Sequence, residues 1–69
     1  VDPSEFPGTG TPEAGGLRFM ELLSALLALR PLHVAAFDIC ELSPHYDHSG
    51  ASTALACKTL REMLLAYCW

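Results

Sequence analysis

One stretch limits what this chain can become. Leu32 to Cys40, LHVAAFDIC, is the segment of the 69 residues whose length and residue types suit a β-strand. Pro31 blocks a helix running into it, Val34, Phe37 and Ile39 favour extended backbone, and the continuous run Val34-Ala35-Ala36-Phe37 reads as a strand buried on both faces. Such strands belong to parallel sheets covered by helices. A lone strand leaves two unpaired edges, so the isolated chain is expected to fold poorly or to self-associate. Working groups of these sheets sit just beyond the carboxyl ends of the strands. Glu41 stands there, opening the loop ELSPHYDHSG at residues 41 to 50.

Composition points the same way. Chains this short bury only ~60% of their extended surface, yet 51% of the residues are hydrophobic and 17% charged. Much of that apolar surface is expected to pack against material outside the chain. The sequence opens at Val1-Asp2-Pro3 without a Met and stops at Trp69 directly after a helical pattern, so both ends are expected to continue in a longer protein.

A net charge of −4, with the four basic residues scattered as Arg18, Arg30, Lys58 and Arg61, argues against a nucleic-acid partner, which needs a basic patch. No apolar run reaches membrane-spanning length and no signal peptide opens the chain. A cytoplasmic protein is expected, or one of an organellar matrix if an upstream targeting segment was removed. The cysteines, Cys40, Cys57 and Cys68, are odd in number and lack C-x-x-C spacing, which argues against a disulfide framework or zinc site. They are expected to be buried thiols, Cys57 and Cys68 sharing one helix face.

The remaining chain divides into a loop, two helices and the loop after the strand. Residues 1 to 16 are rich in Pro and Gly without an apolar period and read as an irregular loop. Gly8 and Gly10 flank Thr9 and precede Thr11-Pro12, so backbone and hydroxyls can approach a ligand there. The Thr and Pro residues stiffen it beyond a flexible linker. Neither G-x-G-x-x-G nor a P-loop Lys supports nucleotide binding. Residues 17 to 30 read as a helix burying Phe19, Leu22 or Leu23, Leu26, and Leu29 or Arg30, with Arg18, Glu21 and Ser24 exposed and Pro31 as its stop. A helix over 52 to 67, capped by Ser52 or Thr53, would bury Cys57, Leu60, Met63 or Leu64 and Tyr67, and wet Lys58, Arg61 and Glu62. Trp69 would add apolar area at the end.

Five further polar positions bear on chemistry. Asp38, a carboxylate inside an apolar run, must find partners: it either caps neighbouring backbone or supports a site from behind. His45, Asp47 and His48 could suggest a metal site, but one short loop makes a poor cage, and a solvated loop is the preferred reading. His33 reads as a surface or packing residue at the entry end of the strand.

Two motifs bear on identity. Asp2-Pro3-x-x-x-Pro7-Gly8-Thr9-Gly10-Thr11-Pro12-x-x-Gly15-Gly16-Leu17 resembles the D-P-x-x-x-P-G-T-G-T-P-x-x-G-G-L signature of the ureohydrolases, the arginase and agmatinase family. Phe37-Asp38-Ile39-Cys40-Glu41-Leu42-Ser43-Pro44 is similar to that family's D-[IV]-[VM]-E-[VL]-[SN]-P element, and Tyr46-Asp47 after it resembles the agmatinase branch. The resemblance covers essentially the whole chain. It implies the carboxyl-terminal part of a three-layer α/β/α fold with a mainly parallel sheet, here present as loop, helix, strand, loop and helix.

The resemblance also implies an activity: manganese-dependent hydrolysis of a small guanidino compound, with agmatine giving putrescine and urea, by a hydroxide bridging two manganese ions. Glu41 then matches the glutamate that pairs with the guanidinium, Thr11 lines the same pocket, and Asp38 and Asp2 support it. The family's metal ligands lie in motifs upstream of Asp2, so no ligand is expected in this chain. The rest of the parent domain is an expected partner, and a trimer or hexamer the expected assembly. Guanidinobutyrate, guanidinopropionate and arginine are alternative substrates, and an inactive truncated remnant serving at most as an interaction module is the alternative function.

Overall fold

The computed structural model describes residues 1–68. Two α-helices, α1 (Phe19–Ala28) and α2 (Ala51–Tyr67), pack together, with a single 3₁₀ turn at Pro44–Tyr46 between them. The role expected of Trp69 lies outside the described residues.

Helix α1 starts two residues later than its apolar period suggested, because its start is fixed by carboxylates. Arg18 is extended (φ −76°, ψ 157°), and its N–H is accepted by Glu21 Oε1 at 2.9 Å. The next N–H, of Phe19, goes to the Glu5 carboxylate of the preceding loop. Two amides left without partners by the first helical turn are thereby satisfied. Pro31 has no N–H and its ring disfavours helical backbone just before it. The helix therefore unwinds after Ala28 through tighter bonds, Leu29 N–H to Leu26 O and Arg30 N–H to Leu27 O.

Helix α2 buries Ser52, Ala56, Thr59 and Met63. Of the expected stripe Met63 is buried and Tyr67 half-buried, but it is corrected at Leu60 and Cys57, which are exposed. The true face lies one residue back, about 100° around the axis, and was hidden because two of its members are polar. Thr59 is accommodated by donating its hydroxyl to Leu55 O at 2.9 Å. Against this face α1 sets Leu23, with Phe19, Leu22, Leu26 and Leu27 half-buried. Tyr67 ties the far end by donating its hydroxyl to Leu26 O.

No strand forms among the described residues: 33 to 43 run without regular secondary structure. The expected strand over 32 to 40 is corrected on this point, and the reason is pairing. A strand is stabilised by ladder bonds to a neighbour, and this chain offers no second segment of the kind. The sheet of the expected α/β/α fold is therefore not formed by these residues. In segment 32 to 40 Leu32 and Ile39 are exposed and Val34 and Phe37 half-buried, and Leu17, Met20 and Leu65 are exposed elsewhere. Only Leu23, Ala56 and Met63 are buried hydrophobics among the described residues. The three cysteines, expected inside, are all exposed.

Candidate substrate-binding cleft

The amino-terminal loop and the loop after Glu41 are brought together by backbone bonds and short polar side chains. Asp2 closes the first loop on itself. Its N–H donates to Leu17 O at 2.7 Å, and its carboxylate accepts from Gly15 N–H at 3.0 Å, Gly16 N–H at 3.3 Å and Ser4 N–H at 3.0 Å, as well as from the Ser4 hydroxyl. These donors, the Ser4 hydroxyl first, hold the Asp2 carboxyl at about 2 against an ordinary 3.8. Gly16 must be glycine for this closure: a Cβ there would lie 2.8 Å from Asp2 N and 2.9 Å from Val1 C, which are backbone atoms that cannot swing aside.

Asp47 performs the same operation at the start of α2. Its Oδ1 accepts the Ser49 amide at 3.0 Å and hydroxyl at 2.6 Å, and its Oδ2 accepts the Ser52 amide at 2.8 Å. Ser49 Oγ in turn accepts the Ala51 amide at 3.1 Å. Helix α2 is thus capped from outside by Asp47 and Ser49, and the expectation that Ser52 or Thr53 caps it is corrected. Gly50, in left-handed backbone at φ 78°, makes the entry turn. The Ser49 hydroxyl, followed by the Ser52 hydroxyl and amide, keeps the Asp47 carboxyl far below its usual range.

Gly8 joins the two halves. Its N–H donates to Ser52 Oγ at 2.8 Å, and its carbonyl accepts the Ser43 N–H at 2.7 Å. The result is a cleft of about 740 Å³ in whose wall Thr9, Thr11, Asp38, Cys40 and Glu41 take part, with Leu22 and Leu26 of α1 and Ala56 of α2 as apolar lining. Thr11, Asp38 and Glu41 are therefore brought together, whereas Asp2 lies outside the cleft wall. Asp38 is exposed. Instead of capping backbone it accepts the Cys40 thiol at 3.4 Å, and this carboxylate raises the thiol's pKa.

Glu41 has φ 65°, the one non-glycine residue with positive φ among those described. Left-handed backbone is uncommon for a Glu, and such strain collects at binding sites. It turns the chain after residues 33 to 40, and Glu41, exposed, takes part in the cleft wall. His45 and His48 are exposed, His45 lying against Tyr46 with ring centroids 4.1 Å apart. Among the described residues no three His, Cys, Asp or Glu side chains are placed to hold a metal ion. The residues present therefore do not fit the manganese centre that the resemblance implies.

The sequence profile of the arginase family matches residues 1–66. The chain belongs to the arginase family. It is 44% identical over 69 residues to an agmatinase of Bacillus cereus, covering 97% of this chain and 24% of that protein. It is 44% identical over 66 residues to the human mitochondrial guanidino acid hydrolase, covering 96% of this chain and 19% of that one. Among solved structures, the proclavaminate amidino hydrolase of Streptomyces clavuligerus superposes with a TM-score of 0.91 at 45% identity, over 97% of this chain and 22% of that chain. The chain thus spans about a quarter of the length of the first curated relatives it matches. Its backbone nevertheless takes the arginase-family course, extended segment included.

The residues that hold the cleft together, Asp47, Ser52, Gly8 and Glu5, were not singled out for that work from the sequence. A signal was present for one of them. Asp47-His48-Ser49 repeats the Asp2-Pro3-Ser4 pattern, and both form the turn in which an Asp side chain takes the amide two residues on.

Proposed function

We propose that this chain is the carboxyl-terminal, substrate-binding part of an arginase-family hydrolase that splits a guanidino compound into urea and an amine, with agmatine, giving putrescine, the favoured substrate. The observation that carries the reading is the meeting of Glu41, Thr11 and Asp38 on one cleft, from loops distant in sequence. A carboxylate offers two acceptor oxygens to the planar fork of a guanidinium, forming paired, charge-assisted hydrogen bonds. Glu41 supplies that carboxylate, Thr11 adds a hydroxyl from the opposing loop, and Asp38 adds a second negative charge. The Gly8-Thr9-Gly10-Thr11-Pro12 run and the Tyr46-Asp47 pair resemble the agmatinase branch and favour agmatine over guanidinobutyrate, guanidinopropionate or arginine.

In this reading the part of these residues is to bind and orient the guanidinium. The two manganese ions and their ligands belong to segments outside the chain, together with the parallel sheet on which the extended segment 32 to 40 would pair. Urea release from agmatine by the full-length protein, compared with its Glu41→Ala variant, tests the reading. Loss of turnover is expected, and unchanged turnover sinks the role of Glu41.

A second reading is favoured by the quarter-length coverage and by the absence of a metal-holding cluster among the described residues. In it the 69 residues alone are catalytically inactive and serve at most as an interaction module. Manganese titration tests what the two readings share: tight stoichiometric binding by the 69-mer would contradict the assignment of all ligands to other segments.

A further inference from the structure

We propose that Ser52 is a positioning residue which, from helix α2, fixes the Thr9–Thr11 loop against the backbone that follows Glu41; this rests on the reading of Glu41 and Thr11 as substrate-binding groups. Ser52 is completely buried, at 0% exposure. Ser52 is the second residue of α2, where no preceding turn of the helix offers its hydroxyl a carbonyl, unlike Thr59, which donates to Leu55 O. Ser52 instead reaches out of α2, and its Oγ accepts the Gly8 N–H at 2.8 Å.

Gly8 is held on both of its backbone groups. The N–H goes to α2, and the carbonyl accepts from Ser43, two residues past Glu41, at 2.7 Å. The next amide, Thr9 N–H, folds back onto Pro7 O at 2.8 Å. A two-residue step from Ser43 reaches Glu41, and a three-residue step from Gly8 reaches Thr11, so the relative register of the two binding groups passes through Gly8.

Ser52 decides where Gly8 sits. A Cβ on Gly8 would stand 2.8 Å from Ser52 Cβ and 2.9 Å from its Oγ, so the loop backbone rests directly on the serine. Ser52 is itself immobilised by its own amide on Asp47 Oδ2 at 2.8 Å. A planar guanidinium makes steep demands on the placement of its acceptors, and small displacements far from the reacting atoms are felt in binding.

The test is made in the full-length protein with agmatine as the probe. Ser52→Ala removes one oxygen and leaves the Gly8 N–H buried without an acceptor, for which a rise in KM of about tenfold is expected. The fall in kcat is expected to be smaller, because the reacting groups are not touched. Ser52→Cys keeps the shape and a weak acceptor and should give an intermediate KM. A residue that merely stabilised the fold would lower the melting temperature and the amount of active protein while leaving KM alone. A KM within about twofold of wild type in Ser52→Ala therefore overturns the proposal, as the unmet amide would then have no consequence for binding.

A second measurement needs no activity. Amide exchange followed by mass spectrometry should rise in Ser52→Ala over residues 6 to 12 and 41 to 44 and stay unchanged over α1. Unchanged exchange over 6 to 12 also overturns the proposal. Failure of the underlying reading looks different: Glu41→Gln would leave hydrolysis intact, while the exchange result on Ser52 would still be read.

Discussion

Glu41 is the residue at which binding and stability are expected to part company. Its φ of 65° places an L side chain in left-handed backbone, a conformation that costs a non-glycine residue roughly 1–2 kcal/mol. Glycine escapes that cost but surrenders about 0.5–1 kcal/mol of extra chain entropy relative to alanine. Alanine keeps the strain. The difference leaves Glu41→Gly more stable than Glu41→Ala by up to about 1.5 kcal/mol, or up to roughly 4 °C in melting temperature for a protein of a few hundred residues. Both variants lose the carboxylate. Two charge-assisted hydrogen bonds at about 1.5–3 kcal/mol each correspond to a fall in kcat/KM for agmatine of about 10²–10⁴-fold. The assay pairs urea release with calorimetric melting of the three full-length proteins. Should Glu41→Gly melt below Glu41→Ala, the left-handed backbone is not a feature of the folded protein. Should either variant retain wild-type kcat/KM, the carboxylate does not bind the guanidinium.

Three more perturbations test the frame around the cleft. Gly16→Ala drives a Cβ to within 2.8 Å of Asp2 N and should cost about 1–3 kcal/mol by denaturant unfolding of the full-length protein; a change under about 0.3 kcal/mol, the size of ordinary surface substitutions, refutes the contact. The Asp2 carboxyl is lowered to about 2, so the closure it provides is complete above its ordinary 3.8 and is lost as pH falls through about 2. Exchange protection of the Gly15 and Gly16 amides should fall across that window in wild type, whereas in Asp2→Asn, which cannot titrate, the pH dependence should vanish. Asp47→Ala removes the acceptor of both the Ser49 and Ser52 amides and should lower the melting temperature by a few degrees. Asp47→Asn keeps an acceptor oxygen and should lose less; equal losses would show that capping is not the cause.

What could be read from the sequence was whatever depends on local pattern. The period of α1 and the stop at Pro31 point to a helix that begins two residues late, where Glu5 and Glu21 take its first amides, and ends at Ala28, two residues before Arg30. The two loops could be placed on one cleft because their motifs match the arginase family in order. The face of α2 was not legible, since Ser52 and Thr59 are polar and their burial depends on partners, Gly8 and Leu55 O, that periodicity does not register. Nor was the state of residues 32 to 40. Their composition is that of a strand, but a strand is a property of two segments, and no second one is found among the described residues. Asp47, in a loop whose histidines suggest a metal ligand, is a helix cap instead, as its spacing to Ser49 and Ser52 marks.

The strain at Glu41 explains why so much of the chain is devoted to tying loops. A left-handed glutamate persists only where its surroundings over-determine it. In a complete sheet, ladder bonds along residues 32 to 40 would fix the approach to Glu41 from one side. On the other side the chain supplies its own constraint. Ser43 is fastened to Gly8, Gly8 to Ser52, Ser52 to Asp47, and within three residues of Glu41 the 3₁₀ turn at Pro44–Tyr46 begins, with Tyr46 N–H on Ser43 O at 3.0 Å. Relaxing Glu41 to negative φ would redirect the chain just before Ser43 and break the Ser43–Gly8 bond. The carboxylate is thus presented by a backbone that cannot relax without parting from the Thr11 loop, which Ser52 holds in place, and the two binding groups are coupled through a single glycine.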